Sequence, residues 1–351
     1  MSSFLNVVFG TRANPSSSSS STTSTESPSS KESRVSRHFP SSEIITSLKE
    51  VGVPISTVSD SDCATCAEAC SGPMNMEGYP SSFAIDTTTP LLGAIKDYDY
   101  LILCSSGKTD WPHDVCADVH SLPGALRQAY PKPSTPIDPQ RKPSIAGVLP
   151  LPRPCTAHAA PGISGREGQL TVAIFSSSHF SSSDDDDTHS LIILPNWVLM
   201  PDVTPSHLPK LPLPIDLFPR LPHQLIILLC SHKTRDKRCA IAAPILKDAL
   251  VDVFESLETT WQVDTRCDGA VHPSEEPLVG IFNISHSGGH KFAGNMIINF
   301  PNGASVWYGR VMPSDCERII KETVLNHRVI PELLKGGFGL GTLNSNSLLA
   351  W

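Results

Sequence analysis

The sequence predicts an α/β protein in which each half repeats one arrangement of strand, helix, strand and strand. The segment YLILCSSGKTD at 100–110 is similar to LIILLCSHKTRD at 225–236, and each reads as an apolar strand that ends in cysteine before a Lys-Thr loop. LTVAIFSSSH, which ends at residue 179, likewise parallels LVGIFNISH, which ends at residue 286. Alternating apolar residues after each of these strands indicate two further strands.

In the first half, the strand that ends at Cys104 is followed by Cys116, which opens a short helical pattern containing Pro123. The next predicted strand ends before His179. The segment SLIILPNWVLM at 190–200 then has the pattern of two paired strands.

In the second half, Cys239 opens a longer helical pattern. Asn302-Gly303 is typical of a tight turn and predicts a hairpin between the two strands that follow His290. Pro313 predicts the start of a last helix. The apolar side of this helix is formed by Cys316, Ile319, Ile320 and Val324.

This order of elements suits a thioredoxin-like sheet with helices packed on its faces, so we predict two tandem thioredoxin-like domains. Four segments follow from composition: a disordered Ser/Thr/Pro-rich stretch at 1–42, a first domain at 43–200, a Pro-rich linker at 201–222 and a second domain at 223–351. Proline-rich and Ser/Asp-rich stretches within the first domain read as surface insertions.

Composition limits the possible functions. The chain has 351 residues and a net charge of -8, which gives no reason to expect nucleic-acid binding. No apolar run approaches the ~20 residues of a membrane helix, so no membrane association is expected. The ten cysteines occur without a recognisable secretory signal. We therefore expect a reducing compartment, in which cysteines serve as metal ligands, redox groups or core residues.

Four residues of the second half form a candidate metal site: Cys230, Cys239, His286 and His290. Each pair flanks a loop that follows a core strand, and the two loops can meet at one edge of the sheet. Two thiolates and two imidazoles complete a tetrahedral zinc site or supply two ligands to each iron of a binuclear cluster.

The spacing within each pair leaves both metals open. The eight residues between the cysteines exceed the usual zinc-finger spacing, whereas the H-x3-H spacing would suit zinc on a helix. Gly288 and Gly289 make a helix there unfavourable and let the backbone approach a bulky inorganic centre.

With these residues in place, the chain resembles the sucrase/ferredoxin-like family. The matching segments are CSHKTRDKRC at 230–239, SHSGGHKFAGN at 285–295 and WYGRV at 307–311. The resemblance implies that the second domain is a thioredoxin-like ferredoxin that holds a 2Fe–2S cluster. It assigns Cys230 and Cys239 to one iron, and His286 and His290 to the other.

The resemblance also implies an electron carrier rather than a stand-alone enzyme, with a role in redox homeostasis. Neutral imidazoles in place of two thiolates should raise the reduction potential above that of all-cysteine ferredoxins. The second ring nitrogen of each histidine can carry a proton, so electron transfer should be coupled to proton uptake. A structural zinc module and a thiol oxidoreductase are the alternatives.

Seven other cysteines and histidines are candidates for a second site. Cys63, Cys66 and Cys70 lie on one face of a predicted helix and read as core or non-ligand thiols, with a redox pair or metal site as the alternative. Cys104 and Cys116 mirror the second-half cysteines, but their histidine counterparts, His179 and His189, are ten residues apart. We interpret the first half as a degenerate copy without a cluster.

The expected partners are proteins. His232, Lys233, Arg235, Lys237 and Arg238 form a basic loop that could dock an acidic redox partner, either a reductase or an electron acceptor. The terminal Leu-Ala-Trp, ending at Trp351, resembles the signal by which clients of cytosolic iron–sulfur assembly are recognised. We therefore expect a cytoplasmic protein. Arg12, Arg34 and Arg37 leave a mitochondrial presequence as the alternative.

Overall fold

Strands from both halves of the chain join in one mixed sheet in the computed structural model. The structure describes residues 40–56, 76, 78–132, 145–152, 170–183, 185, 187–213, 217–267 and 276–342. All of them belong to one structural unit, 34–351. The predicted disordered segment lies outside the described residues up to residue 39, as do Cys63, Cys66, Cys70 and Trp351.

Eleven strands and four α-helices are described. The strands are β1 (Tyr100–Ser105), β2 (Val148–Leu149), β3 (Val172–Ser177), β4 (His189–Leu194), β5 (Val198–Val203), β6 (Leu225–Cys230), β7 (Gln262–Asp264), β8 (Leu278–Ile284), β9 (Met296–Asn299), β10 (Ser305–Tyr308) and β11 (Leu334–Phe338). The α-helices are α1 (Ser42–Glu50), α2 (Leu122–Ala129), α3 (Lys237–Ser256) and α4 (Cys316–Ile319).

Shorter helical turns complete the second half. Three are 3₁₀ turns, His290–Phe292, Pro313–Asp315 and Leu340–Thr342, and a π-helical segment spans Ile320–Leu325. The helix predicted to start at Pro313 is confirmed as a continuous helical stretch that changes type twice. Its predicted apolar residues, Cys316, Ile319, Ile320 and Val324, are all fully buried.

The strand order is β2-β11-β10-β9-β6-β8-β3-β1-β4-β5, with β7 paired to β8. In the second half β6 runs parallel to β8, and β9 and β10 follow antiparallel on the other side of β6. In the first half β1 runs parallel to β3, and β4 and β5 follow antiparallel in the same way. The predicted mixed α/β protein is confirmed, including both predicted strand pairs.

The two halves meet where β3 and β8 end. Ser177 lies opposite Ile284 in antiparallel register, and backbone hydrogen bonds continue the contact from Ser178 to Asn283 and from Ser285 to Ser176. The carboxyl ends of the two parallel strand pairs are therefore brought together at the middle of the sheet.

Side-chain alternation along the strands separates the core into layers. In β6, Leu225, Ile227 and Leu229 pack in a layer that includes the inner faces of α3 and α4. The residues between them, Ile226 and Leu228, pack on the opposite face in a layer shared with β1, β4 and β11. That shared layer extends across both halves of the chain.

Several local features differ from the expectations or were absent from them. The helix expected to open at Cys116 begins at Leu122, because Ser121 caps it and Asp118 holds the preceding turn. Strand β2 was not expected, and it pairs with β11 at the edge of the sheet. Helix α1 begins at Ser42, the last residue of the segment expected to be disordered.

The segment predicted as a linker starts inside β5. It buries Leu213 and Leu221, and Arg220 forms an isolated bridge with Val198. Among the described residues, no helix is long and apolar enough to cross a membrane.

Candidate metal centre

The end of β6 and the first turn of α3 carry the two candidate cysteines. Cys230 is the last residue of β6 and lies in parallel register with Ile284 of β8, two residues before His286. Cys239 lies in the first turn of α3, whose N-terminus is capped by the Asp236 carboxylate accepting from the Arg238 amide. Both cysteines are buried, with exposures of 3% and 1%.

The histidine pair stands on a loop rather than on an α-helix. Gly288 and Gly289 adopt left-handed conformations, with φ of 92° and 67°, which glycine accepts without steric cost. His290 then opens a single 3₁₀ turn. The imidazole rings of His286 and His290 are 5.2 Å apart between centroids and half-buried. The predicted glycine loop between the histidines is confirmed.

The Cys230 thiol contacts both the Cys239 thiol and the His286 imidazole. The pKa of Cys230 is lowered because Cys239 donates a hydrogen bond to it and because His286 lies beside it. The pKa of Cys239 is raised, first by that same hydrogen bond and then by burial. Burial and the neighbouring His286 lower the pKa of His290, which favours the neutral imidazole that a metal requires.

A buried lysine lies beneath the two thiols. Lys335 of β11 has no exposed surface, and its Nζ donates to the Gly288 carbonyl at 3.2 Å and to the Asn295 side-chain oxygen at 2.8 Å. Burial lowers the pKa of Lys335 to about 8, while Cys230 and Cys239 act in the opposite direction. An ammonium group in this position favours negative charge on the sulfur side of the site.

Asn295 connects the cysteine strand to the histidine loop. Its carbonyl accepts from the Cys230 amide at 3.1 Å, and its side-chain nitrogen donates to the Gly289 carbonyl at 3.1 Å. Because its side-chain oxygen also binds Lys335, this residue fixes the spacing between the two ligand pairs.

The first half of the chain supports the cysteine loop from outside. His232 is buried, accepts the His286 amide at Nδ1 and therefore donates from Nε2 to the Trp111 carbonyl, at 3.1 and 2.8 Å. Asp110 accepts from both the amide and the hydroxyl of Thr234 at 2.9 Å. The two Lys-Thr loops of the sequence repeat are thus in direct contact.

Three buried polar atoms on the histidine loop have no hydrogen-bond partner. They are Nδ1 of His286, Nδ1 of His290 and the hydroxyl of Ser287. A buried polar atom without a partner costs about 1–3 kcal/mol, so such a group of atoms is unfavourable unless a ligand satisfies it. The orphaned nitrogens and the buried lysine both fit an anionic group held between the loops.

The separation of the donors bears on the kind of metal. Donor atoms of one tetrahedral zinc lie about 3.3–3.8 Å apart. Across the described part of the chain, His223, Asp264 and Cys267 are the one group of three such residues whose donor atoms all lie within 4.8 Å of one another. No three of the four candidate ligands meet that condition.

The first-half counterparts are arranged differently. Cys104 is buried at the end of β1, and the pKa of its thiol is raised by burial and then by Cys116. His179 is also buried, but its Nε2 bonds the Ser190 carbonyl at 3.2 Å. His189 is half-buried, and burial lowers its pKa. The Nε2 of His179 is therefore engaged by β4.

The basic loop divides into a buried and an exposed part. His232 is buried and does not contribute to a basic surface, which corrects that part of the expectation. Arg238 is half-buried and forms an ion pair with Asp236 at 2.8 Å. Lys233, Arg235 and Lys237 are exposed.

Comparison with known proteins identifies the family. A family model described as sucrase/ferredoxin-like matches residues 91–336, which include all four candidate ligands and strands of both halves. The chain belongs to the sucrase/ferredoxin-like family. The resemblance noted from the sequence motifs is thus confirmed.

Named relatives of this sucrase/ferredoxin-like chain are fungal. Actin patches distal protein 1 of Saccharomyces cerevisiae is 27% identical over 307 residues, covering 78% of this chain and 83% of that protein. Altered inheritance of mitochondria protein 32 is 36% identical over 121 residues in Clavispora lusitaniae and 39% identical over 114 residues in Debaryomyces hansenii. The chain spans 38% and 35% of the length of these last two relatives. No solved structure matches the chain.

Sequence reasoning did not find Lys335, Asn295 or the buried role of His232 in this sucrase/ferredoxin-like protein. One signal was present, because Lys335 is the one charged residue in the segment LLKGGFGL at 333–340. A lysine at a strand position that should be buried indicates a specific anionic neighbour.

Proposed function

We propose that this protein is an electron carrier whose 2Fe–2S cluster is held by Cys230, Cys239, His286 and His290. The observation that carries the proposal is the buried, fully enclosed Lys335 beside two thiols and two half-buried imidazoles with orphaned Nδ1 atoms. The cluster would supply reversible one-electron chemistry. The chain's own residues position the ligands, exclude water from the sulfur side and govern the local charge.

Within this proposal each half is a thioredoxin-like unit, and the second half is the ferredoxin. Support comes from the strand orders β10-β9-β6-β8 and β5-β4-β1-β3, which have the same pattern of parallel and antiparallel neighbours. The proposed division into domains at 43–200 and 223–351 follows the same repeat. Each half places a cysteine, Cys104 or Cys230, at or next to the end of its first long strand.

Asymmetry of the ligands gives the two sides of the site different tasks. Cys230 and Cys239 are enclosed by α3, Asn295 and Lys335, so the sulfur side is dry. The histidines are half-buried, and the exposed Arg235 of the basic loop acts electrostatically on His290. We therefore place electron and proton exchange on the histidine side, with an acidic redox protein as the partner.

Proton coupling is tested by the pH dependence of the midpoint potential. Reduction adds negative charge, which raises the proton affinity of His286 and His290, so reduction is favoured at low pH. We expect the potential to fall as pH rises between about 6 and 9, by up to about 59 mV per pH unit for one proton per electron. Protein-film voltammetry over this range provides the measurement. A potential that is constant across this range would contradict the coupling.

Lys335 should raise the potential of the centre. A unit charge at about 8 Å in an effective dielectric of about 20 contributes about 2 kcal/mol, on the order of 90 mV for one electron. The Lys335→Met variant should therefore show a lower midpoint potential by tens of millivolts or more, since the reduced state loses a stabilising cation.

The matched control is Lys291→Met. Lys291 is adjacent to His290 in the chain, but its side chain is 44% exposed and pairs with Asp86 at 2.9 Å, so solvent screens its charge. Its loss should shift the potential far less than the loss of Lys335. Equal shifts in the two variants, or an increase with Lys335→Met, would contradict the assigned role.

For the cellular location we propose the cytosol, because the ten cysteines of the chain suit a reducing compartment. The mitochondrial matrix is the competing location, since some relatives are named for the inheritance of mitochondria. Fractionation of cells expressing the full chain tests this, and protein that sediments with mitochondria would contradict the cytosolic location.

A further inference from the structure

A second group of metal-binding side chains lies away from the proposed cluster. His223 precedes β6, Asp264 is the last residue of β7, and Cys267 lies in the turn that follows. All three are buried, and their donor atoms lie within 4.8 Å of one another. His223 and Cys230 are seven positions apart, which corresponds to roughly 23 Å of extended chain.

We propose that His223, Asp264 and Cys267 form a structural site for one divalent cation of the zinc type. Imidazole nitrogen, carboxylate oxygen and thiolate sulfur are the three ligand types that zinc accepts in proteins. The ion would join the start of β6 to the end of β7 and to the turn after it. This site is independent of the cluster proposed above.

The separation of two of the donors already suits one ion. His223 Nε2 and Asp264 Oδ2 are 3.0 Å apart, and ligands about 2.0–2.1 Å from a tetrahedral ion are about 3.3 Å apart. Zinc would therefore replace the proton that lies between these two atoms. The shift required is a few tenths of an ångström.

The turn that carries Cys267 is fixed by Asp264 itself. The other carboxylate oxygen, Oδ1, accepts the amides of Arg266 and Cys267 at 2.8 and 2.7 Å. Cys267 adopts a left-handed φ of 53°, a conformation that costs a non-glycine residue of order 1 kcal/mol or more. The backbone thus accepts strain in an arrangement that holds the thiol beside the carboxylate.

His223 is fixed as firmly by packing. A Cβ on Gly280 would come within 3.1 Å of the His223 ring and 2.7 Å of the Phe282 ring, so glycine provides the room that both rings occupy. Phe282 packs edge-on against His223 with centroids 6.0 Å apart. His223 Nδ1 is buried and has no hydrogen-bond partner.

Charge balance favours the cation in this apolar surrounding. A divalent ion with one carboxylate, one thiolate and one neutral imidazole has no net charge, which suits a buried site. His179 lies in the same region, and its pKa is lowered to about 4 by burial and influenced by Asp264 and His223. Its Nε2 donates to the Ser190 carbonyl, so its Nδ1 carries a lone pair. This Nδ1 is buried and has no hydrogen-bond partner.

Cobalt is the probe for this site, because tetrahedral Co²⁺ bound to thiolate has visible d–d bands and a near-ultraviolet charge-transfer band. The titration uses the full chain carrying Cys230→Ala and Cys239→Ala, so that the first centre supplies no thiolate. We expect one Co²⁺ per chain with these bands, and displacement by Zn²⁺. A chain that develops no thiolate–cobalt bands would overturn the proposal.

Three further substitutions in that background locate the site. Cys267→Ser should abolish the charge-transfer band, and His223→Gln should weaken Co²⁺ binding by at least about tenfold. Cys316→Ser, at a buried cysteine outside the group, should leave the bands intact. Bands that survive Cys267→Ser unchanged would refute the site, whether or not binding persists.

Thermal unfolding provides a readout that does not depend on absorption bands. A ligand that binds only the folded chain raises its Tm, so Zn²⁺ should raise the Tm of the background variant and not that of its Cys267→Ser derivative. If Cys267→Ser fails to fold, the same comparison is made with His223→Gln. An equal rise in Tm with and without an intact group would refute the proposal.

Discussion

Replacing Cys230 with alanine should yield a folded chain that retains no iron and no inorganic sulfide. Cys230 lies at the centre of the contacts between the two loops, through its thiol to Cys239 and His286 and through its amide to Asn295. A cluster that loses this thiolate loses one of two ligands to an iron, and no exposed residue stands ready to replace it. Iron and sulfide analysis of the purified variant measures the effect.

The repeat in the chain supplies the matched control for this loss. Cys104 is also a buried cysteine at the end of a long strand, with 2% exposure, so Cys104→Ala removes a thiol of the same type from the other half. That variant should retain full iron and sulfide. Loss of iron and sulfide from the Cys104→Ala variant, together with their retention in Cys230→Ala, would contradict the assignment.

Exchanging the histidine ligands for cysteine should lower the midpoint potential strongly. Each thiolate adds a negative charge where His286 or His290 supplied a neutral nitrogen. Added negative charge at the cluster disfavours its reduction. The difference between bis-histidine and all-cysteine clusters elsewhere is on the order of a few hundred millivolts. We therefore expect His286→Cys and His290→Cys each to lower the potential by about 100 mV or more, measured by redox titration.

The same exchange should remove the pH dependence in part. A cysteine ligand has no second nitrogen for a proton, so the slope of potential against pH should decrease in each variant. His286→Ala and His290→Ala provide the comparison, since they should lose the cluster instead of retuning it. Retention of the wild-type potential in both cysteine variants would exclude the histidines as ligands.

The sequence was sufficient for those parts of the fold that depend on local periodicity. Local sequence, within a few residues, determines the strands β6 and β8, the Asn302-Gly303 hairpin and the helix from Lys237. The two-residue strand β2 is not, because its pairing with β11 joins positions almost 190 residues apart. The start of α2 depends on the Asp118 turn, which delays the helix beyond Cys116.

The sequence pattern placed the four candidate ligands near strand ends, but it did not indicate the residues that surround them. Cys230, Cys239, His286 and His290 follow strand ends, and the parallel register of β6 and β8 brings those ends together. The surrounding contacts come from Lys335 of β11, from Asn295 and from the first half of the chain. No local sequence pattern encodes these contacts. A sheet that joins both halves through β3 and β8 creates these contacts.

Spectroscopy and metal analysis of the full chain, purified without oxygen, test the iron–sulfur assignment. We expect a coloured protein with iron and inorganic sulfide in equal amounts, and an EPR signal of a spin one-half centre that appears on reduction. Zinc bound at the His223 group does not affect this result. A colourless protein that lacks iron and sulfide, with zinc bound through Cys230, would contradict the account.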